Sequence, residues 1–292
     1  MPRYYGIDLG TTNTVLAVST EQNEGNPRLE ILNINQNDFT NKRIITNEDL
    51  LPSIIYLDAD NNIKVGKEAK GYKEEHGNSE RFVFNTKLRM GQKIFYKIGD
   101  KKYTPIDVAA LILEKCYKQI CYEMRNKYDG KIVITVPASF GKEEREDTQK
   151  AALQAGFKEV VIFDEPTAAL LSYVYENSQA TEDVRTIDLS STKNILTIDL
   201  GGGTCDICYM SAKRYDKTFS IKDLKEIQRI DLGGFNFDKA ISEVVMLKKL
   251  RMNKCSQNDA NELITFAEKA KEQISKEIEN IIIENRRNLE DY

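Results

Sequence analysis

The sequence predicts an α/β protein built as two lobes, and three observations predict it. At 292 residues the chain lies at the upper edge of what one hydrophobic core serves. A phrase near the start, Ile7-Asp8-Leu9-Gly10-Thr11-Thr12, returns as Ile198-Asp199-Leu200-Gly201-Gly202-Gly203-Thr204, a separation far too long for a solenoid repeat and suited to a duplicated domain. Around and between the two copies, β-branched runs alternate with segments of helical period, the pattern of an α/β fold.

Tyr4 to Val18 reads as strand, tight turn and strand, with Gly10-Thr11-Thr12 at the tip. Thr104-Pro105-Ile106-Asp107 combines an N-cap, a first-turn proline and a carboxylate three residues after the cap. The apolar positions 106, 109, 110, 113, 117, 120 and 124 then follow helical spacing up to a stop at Gly130. Lys131 to Val136 is a β-branched strand ending at Pro137, Lys142 to Ala155 a charged helix closed by Gly156, and Val160 to Phe163 a short strand. A further helix opens at Glu165-Pro166-Thr167-Ala168-Ala169. The polar stretches Glu21 to Pro27 and Asn177 to Asn194 read as loops, the second dividing a first lobe, 1–178, from a second, 194–292. Ala260 to Arg287 carries neither glycine nor proline and reads as one long charged helix. No strand follows it before Tyr292, so the expectation is of a cut chain and an incomplete second lobe.

With 40% hydrophobic and 30% charged residues the composition is that of a folded globular protein and excludes wholesale disorder. The 42 basic and 46 acidic residues, a formal charge of -4, offer no electrostatic footprint for nucleic acid or anionic lipid, and neither is expected as a partner. No apolar run approaches a membrane span, and Met1-Pro2-Arg3-Tyr4-Tyr5 leads straight into a motif without a signal peptide's apolar stretch, so a cytoplasmic location is expected. The 5 cysteines, odd in number and scattered, fit a reducing compartment. Cys205-x-x-Cys208 falls in an expected strand with no second pair or neighbouring histidine, which argues against zinc or redox chemistry, and His76 in its polar stretch reads as a surface residue.

A glycine- and threonine-rich turn between two strands aims several N–H groups and hydroxyls at one point, which is how a backbone cradles phosphate oxygens. One such turn is no more than a hairpin; two of them, each preceded by an aspartate, could grip one polyphosphate. Asp8 and Asp199 would bring two carboxylates near that anion, an arrangement that makes sense with a divalent cation such as Mg²⁺ between, keeping several of its waters. No Gly-x4-Gly-Lys-Ser/Thr string occurs and Gly201-Gly202-Gly203 does not satisfy the dinucleotide fingerprint, so P-loop and Rossmann readings are excluded.

These residues resemble the ATPase domain of the seventy-kilodalton heat-shock chaperones, within the actin, hexokinase and heat-shock superfamily. Gly6 to Asn13 resembles the family's first phosphate hairpin and Asp199 to Asp206 its second. Further matches, in order, are Leu51-Pro52-Ser53, Phe84-Asn85-Thr86-Lys87-Leu88, Ile134 to Ala138, Glu165 to Ala169, Asp231-Leu232-Gly233-Gly234 with Phe237-Asp238, and Glu268-Lys269-Ala270-Lys271 followed by Ser275. The resemblance implies an actin-like ATPase fold, two ribonuclease-H-like lobes around a nucleotide cleft. It implies ATP and ADP as ligands with Mg²⁺ and K⁺, and Lys87, Glu165, Asp206 and Thr204 as the catalytic set. Lys87 would place the attacking water and counter charge on the γ-phosphoryl group, and either carboxylate could take the water's proton. Gly10, Thr11, Thr12, Asn13, Gly201, Gly202, Gly203 and Thr204 would hold phosphates, Gly233 and Gly234 would join them in binding the nucleotide, Asp8 and Asp199 would hold the metal through water, and Glu268, Lys271 and Ser275, sharing one helix face, the adenosine. Pro137 and the Glu165 helix would link nucleotide state to the partner surface. A peptide-binding domain, a J-domain co-chaperone and a nucleotide-exchange factor are the implied partners.

The sequence departs from the family in two places. Where the family has an arginine that stacks on adenine, Glu272 follows Lys271, so a weaker adenine grip is expected. The family's Gly-Gly-Ser/Thr loop under the adenosine would come later than Tyr292, so a second lobe lacking it is expected. Two other functions share the superfamily: an actin-type assembly protein, against which Lys87, the Asp231 to Gly234 motif and the Glu268 helix argue, and a small-metabolite kinase, which needs an acceptor pocket and base that the sequence does not offer.

Overall fold

The computed structural model describes residues 2–21, 27–40, 44–76, 81–179, 187–215, 218–249, 251 and 256–290. Its first sheet has, in order, the strands Glu159–Asp164, Lys131–Val136, Arg3–Leu9, Asn13–Thr20 and Arg28–Ile31, with Leu51–Pro52 pairing against Asn13–Thr20. The first three are mutually parallel, and their register sets Asp8 opposite Thr135 and Val136 opposite Asp164. All three therefore end at one rim, delivering Asp8, Pro137 and Glu165 to the same level; the carboxyl ends of parallel strands are where such sheets build sites.

Alternation fixes which face is buried. Tyr5, Ile7 and Leu9 on one strand and Ile132, Ile134 and Val136 on its neighbour point into the core, under helices α2 (Pro105–Glu123) and α3 (Lys142–Gln154). A short helix, α1 (Lys67–His76), precedes these two and covers the three-stranded sheet Ile63–Val65, Ile54–Leu57 and Phe82–Phe84. Helix α2 starts as expected: Thr104 Oγ1 accepts from the Asp107 N–H at 3.1 Å while Asp107 Oδ2 accepts from the Thr104 N–H at 2.8 Å. It stops earlier than the apolar spacing suggests, because Arg125 (φ 49°) and Asn126 (φ 61°) turn left-handed ahead of Gly130.

Helix α4 (Glu165–Gln179) runs directly from the edge strand and extends past Asn177, into the stretch read as loop. The next strand begins at Lys193, and residues 180–186 between them lie outside the described set. The chain between Ala168 and Gln179 holds no glycine or proline, so its polar residues are carried by helix instead of ending it. Leu170 of α4 is buried with Leu189, Met210 and Ala212, the core of the second lobe.

That lobe is an antiparallel sheet of Lys193–Leu200, Cys205–Tyr215 and Thr218–Ile230, followed by α5 (Gly234–Val244) and α6 (Gln257–Glu290), which pack on each other. Asp199 pairs with Asp206 and Leu200 with Cys205 in the register, so the glycine turn closes the hairpin tip. Cys205 and Cys208 are buried in this strand, and burial pushes the Cys208 thiol up to about 11, which keeps it protonated and unreactive. His76 ends α1, and its side chain lies outside the described residues, as does Cys255.

Candidate functional site

Serine 53 braces the first turn. Its N–H donates to Thr12 O at 2.8 Å, its hydroxyl donates to Gly10 O at 2.9 Å, and the same hydroxyl lies 2.9 Å from Thr14 Oγ1. A Cβ on Gly10 would stand 2.1 Å from Asn13 O, so the turn is too tight for any side chain there. The second turn closes with the Gly201 N–H on Thr204 O at 2.8 Å and is backed by α5, whose Gly234 and Phe235 N–H groups donate to Gly201 O at 3.0 Å and Gly202 O at 2.9 Å. Gly233 is pressed against that turn: a Cβ on it would lie 2.4 Å from Gly203 N. The turns also meet each other, since a Cβ on Gly202 would reach within 1.9 Å of Thr12 Oγ1.

Between the turns lies a cleft of about 290 Å³ lined by Asp8, Gly10, Thr11, Thr12, Asn13, Lys87, Glu165, Asp199, Gly201, Gly202, Thr204 and Asp206, together with Pro137 and Val15. The sequence separates these residues widely and the fold brings them together. Lys87 stands on a single 3₁₀ turn, Thr86–Arg89, entered through Asn85 in the left-handed region (φ 57°), which asparagine tolerates. Its Nζ lies 2.5 Å from Glu165 Oε1, and the two side chains are 11% and 14% exposed, so this lysine is no surface solubiliser.

The cleft crowds carboxylates. Burial pushes Glu165 up to about 7; Lys87 pulls the other way, and Asp8 and Asp199 add to the rise. Asp199 is likewise raised, first by burial and then by Asp206 and Asp8, against the opposing pull of Lys87. Asp8 accepts from Thr135 Oγ1 at 3.1 Å. Asp206 is held at both oxygens, by Thr204 Oγ1 at 3.0 Å and by Ser139 Oγ at 3.2 Å, and Arg229 Nη1 donates to Ser139 Oγ at 3.3 Å. Among the described residues no three carboxylate, thiol or imidazole groups converge as a direct metal cage. The donor set fits a hard cation that keeps its water shell and touches Asp8 and Asp199 mainly through it, which is the habit of Mg²⁺.

A second cleft of about 290 Å³ adjoins the first through Thr12, Asn13 and Gly202, and Glu268 and Lys271 line it. Lys271 Nζ is 2.7 Å from Asp238 Oδ1 and donates to Gly234 O at 3.0 Å. Glu268 faces two lysines of the first lobe across the mouth, 3.8 Å from Lys70 and 3.7 Å from Lys73, while Glu272 lies 3.2 Å from Lys70 and Lys269 3.1 Å from Glu74. Burial would lower Lys70, but Glu268 and Glu272 outweigh it and raise it. Ser275, one turn further along α6, is exposed and outside this lining. Sequence reasoning assigned no role to Ser53, Ser139, Thr135, Asp238, Lys70 or Lys73. Ser53, Thr135 and Asp238 sit inside the family-like motifs and Ser139 directly after one, so position in or beside a motif was the available signal for these four.

The sequence model of the family described as Hsp70 protein matches residues 93–289. The chaperone protein DnaK of Thermoplasma acidophilum is 32% identical over 241 residues, covering 82% of this chain and 35% of that protein; the DnaK of Thermoplasma volcanium is 31% identical over the same length. The DnaK of Thermosipho africanus is 29% identical over 285 residues, 95% of this chain and 42% of its own. The chain thus spans roughly two fifths or less of the curated relatives it matches. With its two lobes meeting at paired glycine turns, the chain belongs to the Hsp70 family and has the architecture of that family's actin-like ATPase domain.

Proposed function

We propose that the chain binds Mg-ATP across the two glycine turns, hydrolyses it to ADP and phosphate, and serves as the nucleotide-binding module of a heat-shock-type chaperone. The observation that carries this reading is the ion pair of Lys87 and Glu165 standing in one cleft with both turns and with Asp8 and Asp199. Four carboxylates in so small a space repel one another, and a bound cation relieves that cost. Mg²⁺, when bound, supplies charge neutralisation on the phosphates.

The chain's own residues do the rest. The turns present N–H groups to the phosphate oxygens, and Lys87 offers a point charge where negative charge grows on the transferring group. Glu165, with its carboxyl poised near neutrality, is placed to take a proton from the attacking water, or to hand that role to Asp206, whose orientation Thr204 and Ser139 fix. Glu268 and Lys271 line the nucleoside side, and Ser275 would join them by a shift of α6. K⁺, a cytoplasmic location, and the partners named by resemblance, a peptide-binding domain, a J-domain co-chaperone and a nucleotide-exchange factor, belong to the same proposal. Calorimetric titration with ATP and ADP, with and without Mg²⁺, tests it: Mg-dependent binding of both nucleotides is expected, and failure of the chain to bind either would overturn the reading.

A further inference from the structure

The cleft that both turns themselves line, through Thr12, Asn13 and Gly202, is the one open to the nucleoside of a triphosphate gripped there, and its walls come from both lobes. The charged groups there are already paired: Lys271 with Asp238, Lys70 with Glu272, and Lys73 with Glu268. Two aromatic residues line the same space. Phe84 has the Lys73 ammonium over its ring, 4.5 Å from the centroid. Phe235 is different. It is 38% exposed, and no ring or cation is seated on it among the described residues. Its own N–H donates to Gly202 O at 2.9 Å, and the preceding Gly234 N–H donates to Gly201 O at 3.0 Å. The ring is therefore fastened, through two backbone bonds, to the very turn proposed to hold phosphates.

We propose that Phe235 is the platform on which the nucleoside half of the ligand lies. This rests on reading the cleft as a nucleoside triphosphate site. A phenyl group left in water is unfavourable in proportion to its exposed apolar area, and a flat base or the apolar face of a sugar removes that exposure. Base-to-ring contact of this kind is tolerant of which base is offered, so the platform supplies grip while the charged rim supplies selection. Because the ring moves with the second turn, nucleoside and phosphates are held at one fixed spacing, which a more mobile side chain could not provide.

The chain contains no tryptophan, so the F235W variant carries a single tryptophan, at the site, whose emission can be excited apart from the tyrosines. Mg-ATP is expected to quench and shift its emission, whereas Mg-tripolyphosphate, which has no nucleoside, binds without doing so. In parallel, F235A is expected to weaken Mg-ATP by about 10-fold or more while leaving Mg-tripolyphosphate within about twofold; F235L, which keeps apolar bulk without a flat face, should fall between. An unchanged emission at saturating Mg-ATP, or equal losses of ATP and tripolyphosphate in F235A, would overturn the platform and leave the phosphate site standing. If the unsubstituted chain binds neither ligand, the nucleotide reading itself fails, and the platform with it.

Discussion

Lys87 and Glu165 meet across the cleft with Nζ and Oε1 2.5 Å apart, although one comes from a 3₁₀ turn after a small sheet and the other from the first residue of a helix on another sheet. Both are largely buried, so each charge depends on the other and on whatever ligand enters between them. On the proposed role of Lys87, Lys87→Ala would remove the charge that counters the transition state more than the contacts that hold the ground state. Mg-ATP affinity should stay within a few-fold and single-turnover hydrolysis should fall by about 100-fold or more. Equal rates in quenched-flow assays would remove Lys87 from the chemistry.

Glu165 makes a prediction about pH. Its folded value of about 7 lies above the ordinary 4.5, so between those values the folded chain binds a proton that the unfolded chain has released. The group's contribution to stability is therefore complete below the unfolded value and is lost as pH rises through the folded one. Without nucleotide or Mg²⁺, the melting temperature should decline from about pH 5 to about pH 8, and in Glu165→Gln that decline should be smaller by about 2–6 °C. Parallel curves for the two proteins would refute the raised carboxyl.

The glycines should differ in a set order. At Gly202 the obstruction to a side chain is the Thr12 hydroxyl, the end of a side chain, while at Gly233 it is the backbone of residues 201–203. Gly202→Ala should lower stability by about 1–3 kcal/mol and be partly rescued by Thr12→Ala, whereas Gly233→Ala should cost more and resist that rescue. Chemical denaturation of the three single variants and the two double variants decides it; rescue of Gly233→Ala by Thr12→Ala would contradict the geometry.

Asp199 sits where burial, Asp206 and Asp8 all disfavour its charge. Asp199→Asn should therefore leave the empty protein at least as stable, while cutting the enhancement that Mg²⁺ gives to ATP affinity by about 10-fold. Titrations in Mg²⁺ and in chelator, compared between the two proteins, measure that enhancement directly. An unaltered Mg²⁺ effect would free Asp199 from any part in holding the cation.

Much of this was legible from local pattern. The duplicated Asp-Leu-Gly phrases announced two hairpins because a tight turn before a strand needs glycine and a polar tip, and the structure has both. Thr104 and Asp107 announced the start of α2 for an equally local reason. What stayed hidden depends on distance. Nothing near Lys271 says that Asp238 will hold it, and nothing near Ser53 says that its hydroxyl will close on Gly10. Helix ends were missed where composition misled: Asn177 and Ser178 look like loop yet continue α4, while Arg125 and Asn126, without glycine, leave α2.

Helix α4 has its first residue in the cleft and its fifth successor, Leu170, in the core of the other lobe against Met210. Five residues of α-helix advance about 7.5 Å with almost no internal give. The carboxylate that pairs with Lys87 and the seam between lobes are thus two ends of one stiff rod. A ligand that drew Glu165 away from Lys87 would find no give along the rod, and the displacement would emerge where Leu170 bears on the second sheet.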